Sequence, residues 1–306
     1  MPLPLLLLGG LLAGSGVLGF GAHLSAQEKN EKAQQLAKEA KRLYDSSERS
    51  LNKAKKRTQH SLQTLGTTKK HVLNTSISQF MTAYNRIKNA ELSDADNLNE
   101  LKNFMIDKQG VLLLKEMSDI YEATLSDGAA TFASTGALVA LGVAPLVVIA
   151  APVVLFSGIR ADINADENIE KARTMYAEAE AAAEKMKTSE KLCNSISKKA
   201  DMFNDLLLDL DERFSYCTAL LDEVTKKKIK IPNGKVDAKT LTVEEKALLA
   251  TTRALAGAVK SVISTSILAK GGKSVSSKTH RIYRETADKL PAFTESVDKV
   301  KSINYF

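Results

Sequence analysis

Between Asp127 and Arg160 the chain carries no charged residue. The run GAATFASTGALVALGVAPLVVIAAPVVLFSGI, residues 128–159, sits inside a sequence otherwise rich in Lys, Glu and Ala. A surface helix in water must turn one face to solvent, so an uncharged block of this length is out of place on it. Hydrocarbon accommodates such a block, because side chains there can be apolar on every face while the helix backbone bonds internally. Residues 1–27 also lack a formal charge and include LPLLLLGGLLAGSGVLGFGA. Both stretches point to a lipid bilayer as a partner. They do not say which process the protein serves.

As one helix, residues 128–159 would reach about 48 Å, against a bilayer core of about 30 Å. Gly142-Val143-Ala144-Pro145 lies near the centre of the block. Gly142 can end one helix and Pro145 can open the next, and proline disfavours helical geometry at Ala144. Each arm would span about 22 Å. Three arrangements fit: a helical hairpin that enters the bilayer and returns, a tilted Pro-kinked crossing, and a hairpin buried beneath other helices. The hairpin is preferred, because it brings the flanking helices back to one side, where their apolar faces can cover each other. Ala129, Ala133, Gly136 and Ala140 give the first arm a small-residue face suited to close helix contact in lipid. With Gly142, Pro145, Val148 and Pro152 they are the candidate membrane-hairpin residues. If the arms assembled around a lumen, Thr131, Ser134 and Thr135 would supply its polar side chains.

The flanks are helical in pattern. Ala33, Leu36, Ala40, Leu43, Ser47, Leu51, Ala54, Thr58, Leu62 and Leu65 follow steps of three and four. The pattern continues past Gly66 to Ile87, followed by a turn at Ser93–Asn97, a short helix near Leu98–Met105 and another from about Val111 to Leu125. Between Ile159 and Ile231 there is neither Gly nor Pro. There Ala165, Ile169, Ala172, Tyr176, Ala179, Ala183 and Met186 form a heptad seam. It resumes at Cys193 and runs through Ile196, Ala200, Phe203, Leu207, Leu210, Phe214, Cys217, Leu221 and Val224. Ile169, Tyr176, Phe203, Leu207, Leu210, Phe214 and Leu221 are its marker residues. One helix of this length, roughly 90–100 Å, cannot bury its seam alone. The expected cover is the seam at residues 28–90 folded back antiparallel, with a second copy of the chain as the alternative. Pro232-Asn233-Gly234 ends the helix, Thr242 and Glu245 form a capping box, and a last helix at about Lys278–Leu290 precedes Pro291 and a tail.

The expected fold class is therefore all-α: long antiparallel coiled-coil helices joined by a central apolar hairpin, with an N-terminal apolar helix and a small C-terminal helical region. The segments are 1–27, an apolar membrane helix; 28–127, an amphipathic arm; 128–159, the hairpin; 160–231, the heptad helix; and 232–306, the C-terminal region. The few aromatics and the six prolines agree with helices rather than sheets, while the absence of Trp counts against a well-anchored integral protein, since Trp and Tyr mark membrane interfaces. Residues 1–27 lack a basic start and a good cleavage site, and are read as a retained helix. Gly10 and Gly14 within it make a G-x-x-x-G pair.

No catalytic pattern is visible. His23, His60, His71 and His280 are scattered, and no phosphate-loop, dinucleotide-binding, nucleophile-elbow or metalloprotease motif occurs. No enzyme activity, cofactor or metal is expected. Asp205, Asp209, Asp211 and Glu212 read as a solvated face. Lys53, Lys55, Lys56 and Arg57 lack the interleaved aromatics of a single-strand binder. Lys226, Lys227, Lys228 and Lys230 complement the dipole at a helix C-terminus. The net charge of +7 then suits anionic lipid better than nucleic acid. Cys193 and Cys217 would lie about 36 Å apart on one helix, too far for a disulfide.

In layout the chain resembles a family of bacterial helical membrane proteins labelled glycine-zipper or chemotaxis-like. The resemblance rests on Met1-Pro2-Leu3-Pro4-Leu5, the helix from Glu28, the 128–159 block, and the stretch from Asn168 to Val224 with Met186-Lys187-Thr188 and Leu210-Asp211-Glu212-Arg213-Phe214. It implies a bacterial inner-membrane location. The architecture is also similar to that of helical pore-forming toxins. The expected function is non-enzymatic: hairpin insertion and self-assembly through the coiled coil, as a pore or in membrane remodelling. The alternative is a membrane-tethered coiled-coil scaffold that binds a protein partner.

Overall fold

The structure, a computed structural model, describes residues 25–90, 96–126, 164–229, 231, 234–269, 274–303 and 305. The expectations for residues 1–24 and for Ala129, Ala133, Gly136, Ala140, Gly142, Pro145, Val148 and Pro152 lie outside the described residues. What is described is mostly helical: α1 (Ala26–Val72), α2 (Ser78–Asn85), α3 (Lys108–Ser126), α4 (Ala165–Lys228), α5 (Val243–Ile263), α6 (Ser277–Ala287) and α7 (Leu290–Lys301). A π-turn at Leu73–Ile77 joins α1 to α2, and a 3₁₀ segment spans Asp96–Phe104. The described strands are two residues each, β1 (Ile87–Lys88) and β2 (Val236–Asp237), paired in parallel. Among the described residues, no helix is long and apolar enough to cross a membrane.

The chain divides into two compact units, 1–44 with 153–181, and 45–152 with 182–306. In the first, α1 begins with a capping exchange: Ser25 N donates to Glu28 Oε2 at 2.7 Å, and Glu28 N donates to Ser25 Oγ at 3.3 Å. Ala33, Ala40, Ala172 and Ala179 are fully buried there, and such small side chains allow close helix approach. Lys29 pairs with Asp166 at 2.6 Å, and Asn168 Nδ2 donates to Asn30 Oδ1 at 2.9 Å.

In the second unit Thr58 Oγ1 donates to Cys193 O at 2.8 Å, and the Ser61 and Ser197 hydroxyls meet at 2.7 Å. Thr68 Oγ1 donates to Asn204 Oδ1 at 2.6 Å, and Arg86 pairs with Asp222. In both units the partners' numbers rise together. The two long helices therefore run parallel, and the antiparallel expectation is corrected. A seam of threes and fours reads alike in either direction, so it demands a partner without orienting it. α3 packs on the π-turn and α2.

α5 is the centre of the second unit. Its apolar residues run around the whole circumference, the pattern of a fully enclosed helix. Thr242 and Glu245 form the expected capping box. α5 packs on the 3₁₀ segment and on α7 and α6, with Phe104 edge-on to Phe293 at 5.5 Å. Phe80 in turn packs on Phe214 at 5.5 Å, tying α2 to α4. Pro291 does not lead into a tail. It sits in the first turn of α7, where its missing N–H costs nothing.

Candidate functional site

In the second unit the marker residues of α4 lie on its buried side. Phe203, Leu207, Leu210 and Phe214 are fully buried, and Leu221 nearly so. In the first unit Ala165, Ala172 and Ala179 are buried, but at the Ile169 and Tyr176 positions the burial falls one residue earlier. Asn168 and Met175 are buried, while Ile169 and Tyr176 are half-buried beside them. Asn168 reaches Asn30, and that polar contact takes the place expected for an isoleucine.

Three polar features inside the second unit do not follow from simple hydrophobic patterning. Lys69 is fully buried, and its Nζ donates to Ile263 O at 2.9 Å and Thr265 O at 3.1 Å. It therefore caps the C-terminal end of α5, where carbonyls lack intrahelical partners. Burial pushes its amine down to about 7. Arg253, also buried, donates from Nε and Nη2 to Ile106 O at 3.2 and 3.1 Å, and from Nη1 to Ala90 O at 3.0 Å. It thus holds both ends of the segment between β1 and α3 against α5. The third feature is the π-turn, which faces Asp211.

Asp211 has one buried carboxylate oxygen, Oδ1, without a hydrogen-bond partner. Burial raises its carboxyl above the usual range, against the lowering effects of the Ser76 hydroxyl and the His71 charge. A carboxyl raised in the fold is best tolerated below its unfolded value and is a liability once ionised at neutral pH. Asp211→Asn keeps the shape and removes the charge. It should raise stability at pH 7 and leave little gain at pH 3, as measured by denaturant unfolding at the two pH values. A loss of stability at pH 7 would contradict this account of Asp211.

Part of the surface charge is held in local pairs. Asp209 pairs with Arg213 at 2.6 Å, and Arg213 Nε also donates to Thr294 Oγ1 at 3.2 Å. Lys226 pairs with Asp222 at 2.5 Å, and Lys228 with Glu245 at 2.9 Å. Burial raises the Asp222 carboxyl, but hydrogen bonds and charge from Lys226 and Arg86 outweigh it and hold the group below its usual value. Among the described residues, no group of His, Cys, Asp or Glu is placed to hold a metal ion. Cys193 and Cys217 are both free and buried, and burial pushes the Cys217 thiol up to about 12.

Two surface hollows stand out among the described residues. One, of about 570 Å³, lies between α4 and α7 and includes Glu212, Arg213, Asp298 and Lys301. The other, of about 530 Å³, lies between α2, β1 and the start of α3, with Lys88, Lys108, Lys115 and Lys235 around it. The first carries balanced charge. The second is basic, and Leu112 on its α3 wall is half exposed to solvent. Comparison of the chain with protein-family models, with curated proteins and with solved structures finds no match.

Proposed function

We propose that the protein is a non-enzymatic membrane-associated helical protein that inserts its uncharged 128–159 segment into a bilayer and carries the packed helices outside it. The observation that carries this reading is the segment itself: 32 residues without a charge, set between helices that pack as soluble elements do. A hairpin about Gly142–Pro145 is the favoured form of insertion. Its support is no longer antiparallel pairing but compartment. α3 precedes the segment and buries Val111 and Leu114 in the second unit, and α4 follows it and buries Phe203 to Leu221 in the same unit. A single crossing would part α3 from α4 across the membrane, whereas a hairpin returns the chain to the side it left.

The α4 seam from Cys193 to Val224 is covered within one chain. Self-assembly is accordingly assigned to the small-residue face of the hairpin, Ala129, Ala133, Gly136 and Ala140, rather than to the coiled-coil seam. A scaffold that presents this seam to a partner has less support for the same reason. The bacterial inner membrane is the proposed location, by likeness of layout to the glycine-zipper families.

Val148→Asp tests insertion. A charge at the centre of a helix in lipid costs about 2.5–3.5 kcal/mol, so partition into phosphatidylcholine vesicles should fall roughly a hundredfold. The described helices should keep their stability, because the change lies outside them. Wild-type protein that stays in the supernatant of such vesicles would overturn the reading.

A further inference from the structure

The basic hollow between α2, β1 and α3 has no part in the packing described above. Four lysines, Lys88, Lys108, Lys115 and Lys235, surround it, and among the described residues that line it there is no acid. All four are exposed, and no ion pair neutralises any of them among the described residues. Asp237 feels the charge of Lys88, but it is already engaged by Asn89 Nδ2 at 3.2 Å and by Lys239 N at 3.0 Å. Unneutralised positive charge gathered round a concavity attracts an anion.

The apolar part of the hollow narrows the class of anion. Lys108, Leu112 and Lys115 follow steps of four and three, so they share one face of α3. Leu112 is 54% exposed and its neighbour Leu113 42%, two of the few large apolar side chains so displayed among the described residues. An exposed leucine flanked by lysines on a helix is the arrangement by which interfacial helices lie in the headgroup layer. α3 then runs on as helix to Ser126, two residues before the uncharged segment begins. A free phosphate would use the lysines and leave the leucines exposed. A phospholipid uses both.

We propose that this hollow binds the phosphate-bearing headgroup of an anionic glycerophospholipid, with Leu112 and Leu113 against the acyl boundary. The proposal rests on the membrane-associated reading and adds a lipid preference to it.

The test uses the full chain and two kinds of vesicle, phosphatidylcholine alone and phosphatidylcholine mixed with phosphatidylglycerol, in co-sedimentation. Wild type should prefer the anionic vesicles. The variant Lys88→Gln/Lys108→Gln/Lys115→Gln/Lys235→Gln should lose that preference by about tenfold or more, since each lysine near an anionic surface adds to the attraction. The double variant Lys108→Gln/Lys115→Gln should lose part of it, and it guards against misfolding of the fourfold variant. Binding to phosphatidylcholine alone should stay as in wild type. Removing the same charge elsewhere, with Lys53→Gln/Lys55→Gln/Lys56→Gln/Arg57→Gln, should leave most of the preference. The proposal is overturned if wild type has no anionic preference, if both lysine-hollow variants retain it, or if the control set abolishes it equally. Loss of the preference to inorganic phosphate, at an ionic strength where chloride has no effect, would reassign the hollow to free phosphate and overturn the lipid assignment. Failure of the parent reading looks different: phosphatidylcholine binding would be absent or indifferent to Val148→Asp, while the lysine variants would still change anionic binding.

Discussion

Alanine at Gly257 is expected to destabilise the protein by about 3 kcal/mol or more, at or beyond the upper part of the range for overpacked cores. A Cβ at this position would stand 1.7 Å from Phe104 O and 2.8 Å from Phe104 C. These are backbone atoms, and they cannot swing aside as a side-chain tip does. Phe104 is also held on both sides: its ring packs on Phe293, and Ile106 N donates to Arg253 O at 3.3 Å. The sign of the effect is diagnostic. In an open helix interior, Gly to Ala stabilises by about 1 kcal/mol; here the close approach of the 3₁₀ segment to α5 must reverse it. Equilibrium unfolding in urea measures the change. A variant as stable as wild type would mean that α5 and the 3₁₀ segment do not approach in this way.

Replacement of Lys69 by methionine should change how stability depends on pH. The folded amine has a value of about 7, against 10.5 for the unconstrained group. Between those values the unfolded chain holds a proton that the folded protein lacks, so wild-type stability gains from Lys69 as pH rises through this window. Below about pH 6 both states are protonated and the contribution is constant. Lys69→Met has no such titration. Wild type minus variant should therefore be flat below pH 6 and should increase by about 2 kcal/mol between pH 7 and 9, at a limiting slope of about 1.4 kcal/mol per pH unit. Groups common to both proteins cancel in the difference. A difference that stays level from pH 6 to 9 would show that Lys69 keeps its proton in the fold, held by the carbonyls of Ile263 and Thr265.

Much of the helix content was legible because it rests on local pattern. The long helix that carries Cys193 to Val224 and the capping box at Thr242 and Glu245 both depend on residues a few positions apart, and the structure has that helix and that box. The direction of pairing was not legible, because it is set by contacts some 136 residues apart, such as Thr58 with Cys193 and Thr68 with Asn204. Lys69 could have been found. Leu62, Leu65, Lys69 and Val72 follow steps of three, four and three, which places a lysine on the buried face. Arg253 carries a similar signal, as a lone charge within LLATTRALAGAV. The lysines around the basic hollow come from three separate stretches of chain, and only the fold brings them together. The reading of a membrane hairpin draws on the uncharged composition of residues 128–159 and on α3 and the later part of α4 belonging to one unit.

Insertion of the 128–159 segment is the central claim, and a single environment-sensitive probe at Val148 tests it most directly. Cys193 and Cys217 are buried, with thiols raised by burial, so a brief reaction with a thiol-directed fluorophore should leave the folded wild type unlabelled. Val148→Cys can then be labelled selectively, and mixed with vesicles that carry a quencher on their acyl chains. The account predicts a blue shift of the emission on mixing, together with quenching by the acyl-chain label. An emission that keeps its aqueous wavelength and is quenched only by a water-soluble agent would contradict it.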